Sequence, residues 1–183
     1  MAIKRYTIDG YGQVELNNVA FRRDGRIEAQ CKLDATDFAT IPAENGMILA
    51  VDKANGKITL PKQTSKLFAL NYTTEHIYDE RTPGLKNFSS VITSFLPRMG
   101  YLAAGDLFTT NTICYDTTEF ATEEAVDTAL GALKTTPVYG GVDASGAIKL
   151  TKTAPQTGPV LQVVKNYTMP DGQFGVKLQV ISA

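Results

Sequence analysis

Apolar residues in this chain recur mostly at every second position, and turn-forming residues interrupt them at short intervals. Near the C-terminus Val176, Leu178 and Val180 alternate with Lys177 and Gln179, the period of a strand with one buried face. Residues 160–164, V-L-Q-V-V, precede it across a turn at Met169-Pro170-Asp171-Gly172, so the two segments predict a hairpin. Residues 47–51, then Asn55-Gly56, then Ile58 and Leu60 predict another, and residues 138–142, Ser145-Gly146, Ile148 and Leu150 predict its counterpart. Residues 19–28 carry Asp24-Gly25 at their centre and read as a fourth hairpin. The Thr-rich run 105–114 reads as one strand of high β propensity. Helical spacing stands out in one place. Val126, Ala129, Leu130 and Leu133 predict a helix over 123–134. Thr122 suits its N-cap, Glu123 and Glu124 its positive end, Lys134 its negative end, and Pro137 blocks continuation.

Three short patterns occur twice, in the same order. C-K-L-D-A-T-D-F-A-T at 31–40 is echoed by C-Y-D-T-T-E-F-A-T at 114–122. V-D-K-A-N-G-K-I-T-L at 51–60 is echoed by V-D-A-S-G-A-I-K-L at 142–150, and N-Y-T at 71–73 by N-Y-T at 166–168. Three echoes in one order point to an internal duplication. The expected fold is therefore mainly β: an antiparallel barrel or sandwich of two repeats, 1–96 and 97–183, with the helix inserted in the second. Halves of that size are marginal alone, so a shared core or interface is expected. Residues 75–88 have no echo. They are polar and aromatic with a Pro83-Gly84 turn, and read as an extended loop or arm of contact-surface composition.

Composition narrows the function classes. Apolar residues make up 43% of the chain, enough for a globular core, and the net charge is −1. That balance argues against a general nucleic-acid binder, which needs Lys and Arg to displace counterions, and against a polybasic membrane-surface protein. No apolar run approaches the ~20 residues that span a bilayer. Residues 1–6 lack the apolar core of a secretory signal. Cys31 and Cys114 fall at comparable places in the two echoes. A disulfide between them is one reading; two small buried thiols is the preferred one.

Candidate chemistry is sparse. The single histidine, His76, lies among Glu75, Asp79 and Glu80, and reads as an exposed polar cluster because no nucleophile motif accompanies it. Asp34 with Asp37, and Asp116 with Glu119, are paired carboxylates in the repeated element. They are open to a Ca²⁺ reading, but Asp and Thr at that spacing cap turns by accepting local N–H groups. On that preferred reading Asp34, Asp116, Gly56, Gly146 and Gly172 are structural turn residues, and Phe38 and Phe120 anchor their turns. No metal, cofactor or catalytic group is expected.

The hairpins of form V-D-…-G-x-I, and the ending P-V-L-x-V-V…D-G…V-K-L-x-V, resemble those of small virion structural proteins of tailed bacteriophages. Auxiliary capsid (decoration or cement) proteins are the nearest kind. Residues 137–150 and 159–181 carry most of the likeness, and 46–60 some of it. The resemblance implies a non-enzymatic protein that binds and stabilises a capsid shell, acts as a homo-oligomer on a major capsid protein, assembles in the host cytoplasm and resides in the virion. Nucleic acid and membrane are not implied as partners. A tail-tube or connector component is the alternative, and a small hydrolase using Asp34 or Asp116 the least favoured. Residues 1–9, where Ile3, Tyr6 and Ile8 alternate against Lys4 and Thr7, suit a strand added to a partner sheet. With Tyr72, His76, Tyr78 and Arg81 they form the expected contact set.

Overall fold

The computed structural model describes residues 12–73, 96–170 and 172–183. The chain enters as β1 (Val14–Asn18) and passes at once into a five-residue helix, α1 (Ala20–Asp24). Residues 19–28 therefore do not form the expected hairpin. Gly25, at φ 68°, ends α1 in the left-handed conformation, and Asp-Gly serves that C-cap as readily as a hairpin turn. What selects the helix is tertiary. Phe21 is fully buried, lies 5.1 Å from the ring of Tyr72, and covers Gly100 so closely that a Cβ there would come within 2.4 Å of its ring.

Beyond α1 come β2 (Ile27–Glu28), β3 (Lys32–Leu33), a 3₁₀ turn at Asp37–Ala39, and the hairpin of β4 (Ile48–Asp52) and β5 (Lys57–Thr59). β6 (Phe68–Asn71) and β7 (Met99–Gly100) follow. The Thr-rich run is two strands, not one: β8 (Leu107–Thr110) and β9 (Ile113–Tyr115). Next is α2 (Glu123–Gly131), capped by Thr122, whose Oγ1 accepts the Ala125 N–H at 3.3 Å. It ends before the expected Lys134, at a glycine of low helix propensity, and its Val126 and Leu130 are buried as their spacing requires. The hairpins β10 (Tyr139–Val142) with β11 (Ile148–Thr151), and β12 (Val160–Thr168) with β13 (Phe174–Ser182), complete the chain where their sequences place them.

The strands form two sheets. One runs β2-β7-β6-β4-β5-β3 and the other β1-β8-β13-β12-β10-β11-β9. Apart from β1 the two orders correspond strand for strand. Each also ends in a parallel pair, β3 with β5 and β9 with β11, among otherwise antiparallel pairings. The sheets are open, and among the described residues no closed barrel forms.

The first echo coincides in detail. Asp34 N–H donates to Ile58 O at 2.9 Å and Asp116 N–H to Leu150 O at 3.0 Å, while Phe38 and Phe120 N–H return to the Asp34 and Asp116 carbonyls. The second echo keeps register as well, since Val51 lies opposite Ile58 and Val142 opposite Ile148. One residue fewer separates these partners in the later hairpin, so the two copies differ in the turn and agree on the strands.

Two apolar cores result. The larger joins Phe21, Ile48 and Leu70 of the first half to Phe108, Val126, Leu161 and Leu178 of the second. The smaller lies within the first half, around Leu33, Phe38, Leu49, Ile58 and Met99. Alternation along β4 explains the division, since Ile48 enters the larger core and Leu49 and Val51 the smaller.

A buried polar seam runs between the halves. Asn45, Asn71, Thr110, Asn111 and Thr112 are all buried. Thr112 Oγ1 donates to Asn45 O and Thr110 Oγ1 to Gln13 O, both at 2.6 Å, while Asn111 Oδ1 accepts the Gln13 N–H at 2.7 Å. A backbone bond continues the joint, Ile48 N–H to Gly146 O at 2.9 Å, beside the β9–β11 bond from Ile148 N–H to Thr112 O at 3.0 Å. These partners are why the Thr-rich run breaks after Thr110, because its polar groups turn from the ladder toward the other half. Gly46 packs into the seam at φ 82°, where a Cβ would lie 2.0 Å from Thr110 Oγ1. Gly46→Ala should therefore cost at least ~2 kcal/mol in urea unfolding, whereas Gly56→Ala, at φ 63° with open space around it, should cost about 1 kcal/mol.

Candidate functional site

The repeated acidic turns are held almost alike in the two halves. Asp34 Oδ1 accepts the N–H groups of Thr36 at 2.9 Å and Asp37 at 3.1 Å, and its Oδ2 accepts Lys57 Nζ at 2.6 Å. Asp116 Oδ1 accepts the Thr118 N–H at 2.9 Å and hydroxyl at 2.6 Å, with Lys149 Nζ 3.6 Å from Oδ2. The second acids reach across to the strand ends: Asp37 Oδ2 accepts the Leu60 N–H at 3.0 Å, and Glu119 Oε2 accepts those of Lys152 and Thr153. These carboxylates are engaged with local donors. Among the described residues no three His, Cys, Asp or Glu side chains converge on a common point. The Lys57 bond, then the Asp37 N–H, hold the Asp34 carboxyl down at about 2. The Thr118 hydroxyl and N–H, with Lys149, lower Asp116 as well.

The other expected positions divide by burial. Gly56, Gly146 and Gly172 take positive φ in their turns, and Gly146 also joins the halves through the carbonyl that accepts Ile48 N–H. Tyr72 is not a surface contact. It is 2% exposed and packs in the larger core against Phe21, because the end of β6 turns its side chain inward beside Leu70. Ile3, Tyr6, Ile8, His76, Tyr78 and Arg81 lie outside the described residues. Cys31 and Cys114 are both buried, and no disulfide joins them.

A surface feature absent from the sequence reading is a cleft of about 410 Å³ where the first sheet meets the end of the β12–β13 hairpin. Leu67, Phe68, Leu102 and Pro159 line it with apolar surface, and Arg26, Lys53 and Lys66 supply cations. A second hollow of about 420 Å³ adjoins it, sharing Lys53, Lys66 and Leu67 and extending to Lys62. These residues come from the β1–β2 region, the β4–β5 turn, the approach to β6, the segment after β7 and the start of β12, so no local motif announces them.

Around Lys53 sits a small polar cluster. The buried Glu28 accepts the Gln30 N–H at 2.9 Å and the Tyr101 hydroxyl at 3.2 Å, with Lys53 Nζ 3.6 Å away. Burial works against the Glu28 anion, but the donors Gln30, Cys31 and Tyr101, with Lys53, outweigh it and lower its pKa. Burial and the adjacent Glu28 push the Cys31 thiol up, away from the thiolate a nucleophile needs. Burial likewise raises Tyr101, keeping its phenol a donor. The cluster supports Tyr101 and Lys53 rather than forming a nucleophile with its base. No family model, curated protein or solved structure matches the chain.

The lowered Asp34 pKa has a defined consequence for stability. With a folded value of about 2 against an ordinary 3.8, its contribution is present above about pH 4 and is lost as the pH falls toward 2. Asp34→Asn should therefore be less stable than wild type near neutral pH, with the gap closing across that acidic window in urea unfolding.

Proposed function

We propose that this chain is a non-enzymatic structural protein of a tailed-phage virion, an auxiliary capsid protein that binds an assembled shell and stabilises it. Its partner is the major capsid protein, it acts as a homo-oligomer, and it joins the virion during assembly in the host cytoplasm. The observation that carries this reading is the placement of β1. The segment that follows residues 1–11 is an edge strand laid antiparallel on β8, and none of its five residues is fully buried. The N-terminal end thus joins the fold by adding a strand to a sheet edge, the mode by which an arm engages a partner sheet. Rigid sheets linked through a buried seam suit a protein that reinforces a lattice, and the hairpins at 137–150 and 159–181 carry the likeness to virion proteins. We further read the matched strand orders as the product of an internal duplication, giving a two-layer sandwich with α2 as a later insertion.

The test is co-sedimentation with expanded shells assembled from the major capsid protein of the same genome. The purified chain should remain a small oligomer alone, pellet with shells at a fixed stoichiometry, and raise their melting temperature. Failure to pellet would remove the reading, and rings or tubes formed by the chain alone would favour a tail component. Deleting residues 1–9 should weaken shell retention; unchanged retention would exclude them from the contact.

A further inference from the structure

The cleft between the first sheet and the β12–β13 hairpin combines an apolar floor with a rim that carries three cations, beside Tyr101 and Ala183. Leu67 is 38% exposed, unusual for a large aliphatic side chain, and with Phe68, Leu102 and Pro159 it forms a floor that accommodates one or two side chains. Lys66 has no acidic side chain within ion-pair distance among the described residues. Lys53 and Arg26 do have acids near them, Glu28 and Asp24, but each pair is separated by 3.6 Å, beyond a normal hydrogen bond. The two cations are well exposed, at 61% and 44% of the side chain. Exposed pairs of that length contribute little and leave donors for an incoming carboxylate. In the adjoining hollow Lys62 is already paired with Asp37 at 3.1 Å, so the available cations are those of the cleft itself. Asp52 is the acid lining that hollow, and it is already engaged by Asn55 through both its carboxylate oxygens. On a chain of net charge −1, such a concentration of cations around an apolar floor is a local asymmetry.

We propose that this cleft is the docking site for an acidic extended segment of the shell protein, which seats an aliphatic or aromatic side chain on Leu67 and Phe68 and places flanking carboxylates against Arg26, Lys53 and Lys66. The proposal rests on the capsid-binding reading above and names the surface and partner chemistry for it. It differs from the contact through residues 1–9, and the two surfaces act together on one lattice. Lys53 is left unaltered in the test because it lies beside the buried Glu28.

Arg26→Glu/Lys66→Glu and, separately, Leu67→Glu are compared with wild type by co-sedimentation with expanded shells at low and high salt. Thermal melts of the free variants check that the fold is kept. Wild type should bind more weakly as salt rises. The double charge reversal should lose about tenfold in affinity and most of that salt dependence. Leu67→Glu should lose affinity at both salt concentrations. If wild type binds shells and both folded variants bind equally well, the cleft is not the contact and the proposal falls alone. If wild type does not bind shells, the capsid reading falls and this proposal with it. If the free protein self-associates and the variants abolish that association while still binding shells, the occupant is a second copy and the shell-segment assignment is overturned.

Discussion

The fold depends on a strip of buried polar backbone and side chains that fixes how two sheets sharing one apolar core meet. Thr112 bonds Asn45 and Ile48 donates to Gly146 across the line between the sheets, while Thr110 and Asn111 hold the chain ahead of β1 at Gln13. Each such group would cost about 1–3 kcal/mol if buried without a partner. The halves therefore meet in one register or lose several bonds together. The apolar core they share supplies most of the attraction, and the seam supplies its direction.

That division of labour accounts for the uneven cores. The first sheet is clothed on both faces, with Leu49 and Val51 covered by its own turns and Ile48 by the second half. The second half places α2 against the shared core, where Val126 and Leu130 add apolar area. Asp106 completes the arrangement at the other end of the joint. It is buried, and its two carboxylate oxygens accept the N–H groups of Ala20 and Ala103, at 2.7 and 2.8 Å. A residue of the second half thus caps the first turn of α1, a role left unfilled by Val19.

The protein's recurrent acids serve as turn caps, and burial beside Glu28 pushes the Cys31 thiol up. Among the described residues, the edge at β1 suits backbone pairing and the cation-rimmed cleft at Leu67 suits side-chain recognition. In the proposed role on a repeating shell, two modest contacts used together would gain from effective concentration.

The local elements were largely legible from residue order. Alternation in β13, Asn55-Gly56 in the β4–β5 hairpin, and Thr122 ahead of Val126 and Leu130 each describe a segment whose structure is decided by its own periodicity and turn chemistry. So were the acidic turns, because Asp34 and Asp116 find most of their donors within three residues. Residues 19–28 and 105–114 were misread for one reason. Asp24-Gly25 and the Thr-rich run are locally compatible with more than one conformation, and the choice was made by Phe21 packing on Gly100 and by Thr112 bonding Asn45. Tyr72 was read as surface for the same cause, since a polar aromatic residue reveals its burial only once the second half closes over it. The cleft was beyond any local reading, as its lining converges from six separate segments. The sequence alone determined a β-rich chain of hairpins with a helix after Thr122. Which strands join which sheet, where the halves lock and which cations share a rim were decided by tertiary structure, because those outcomes depend on long-range packing and on where buried polar groups find partners.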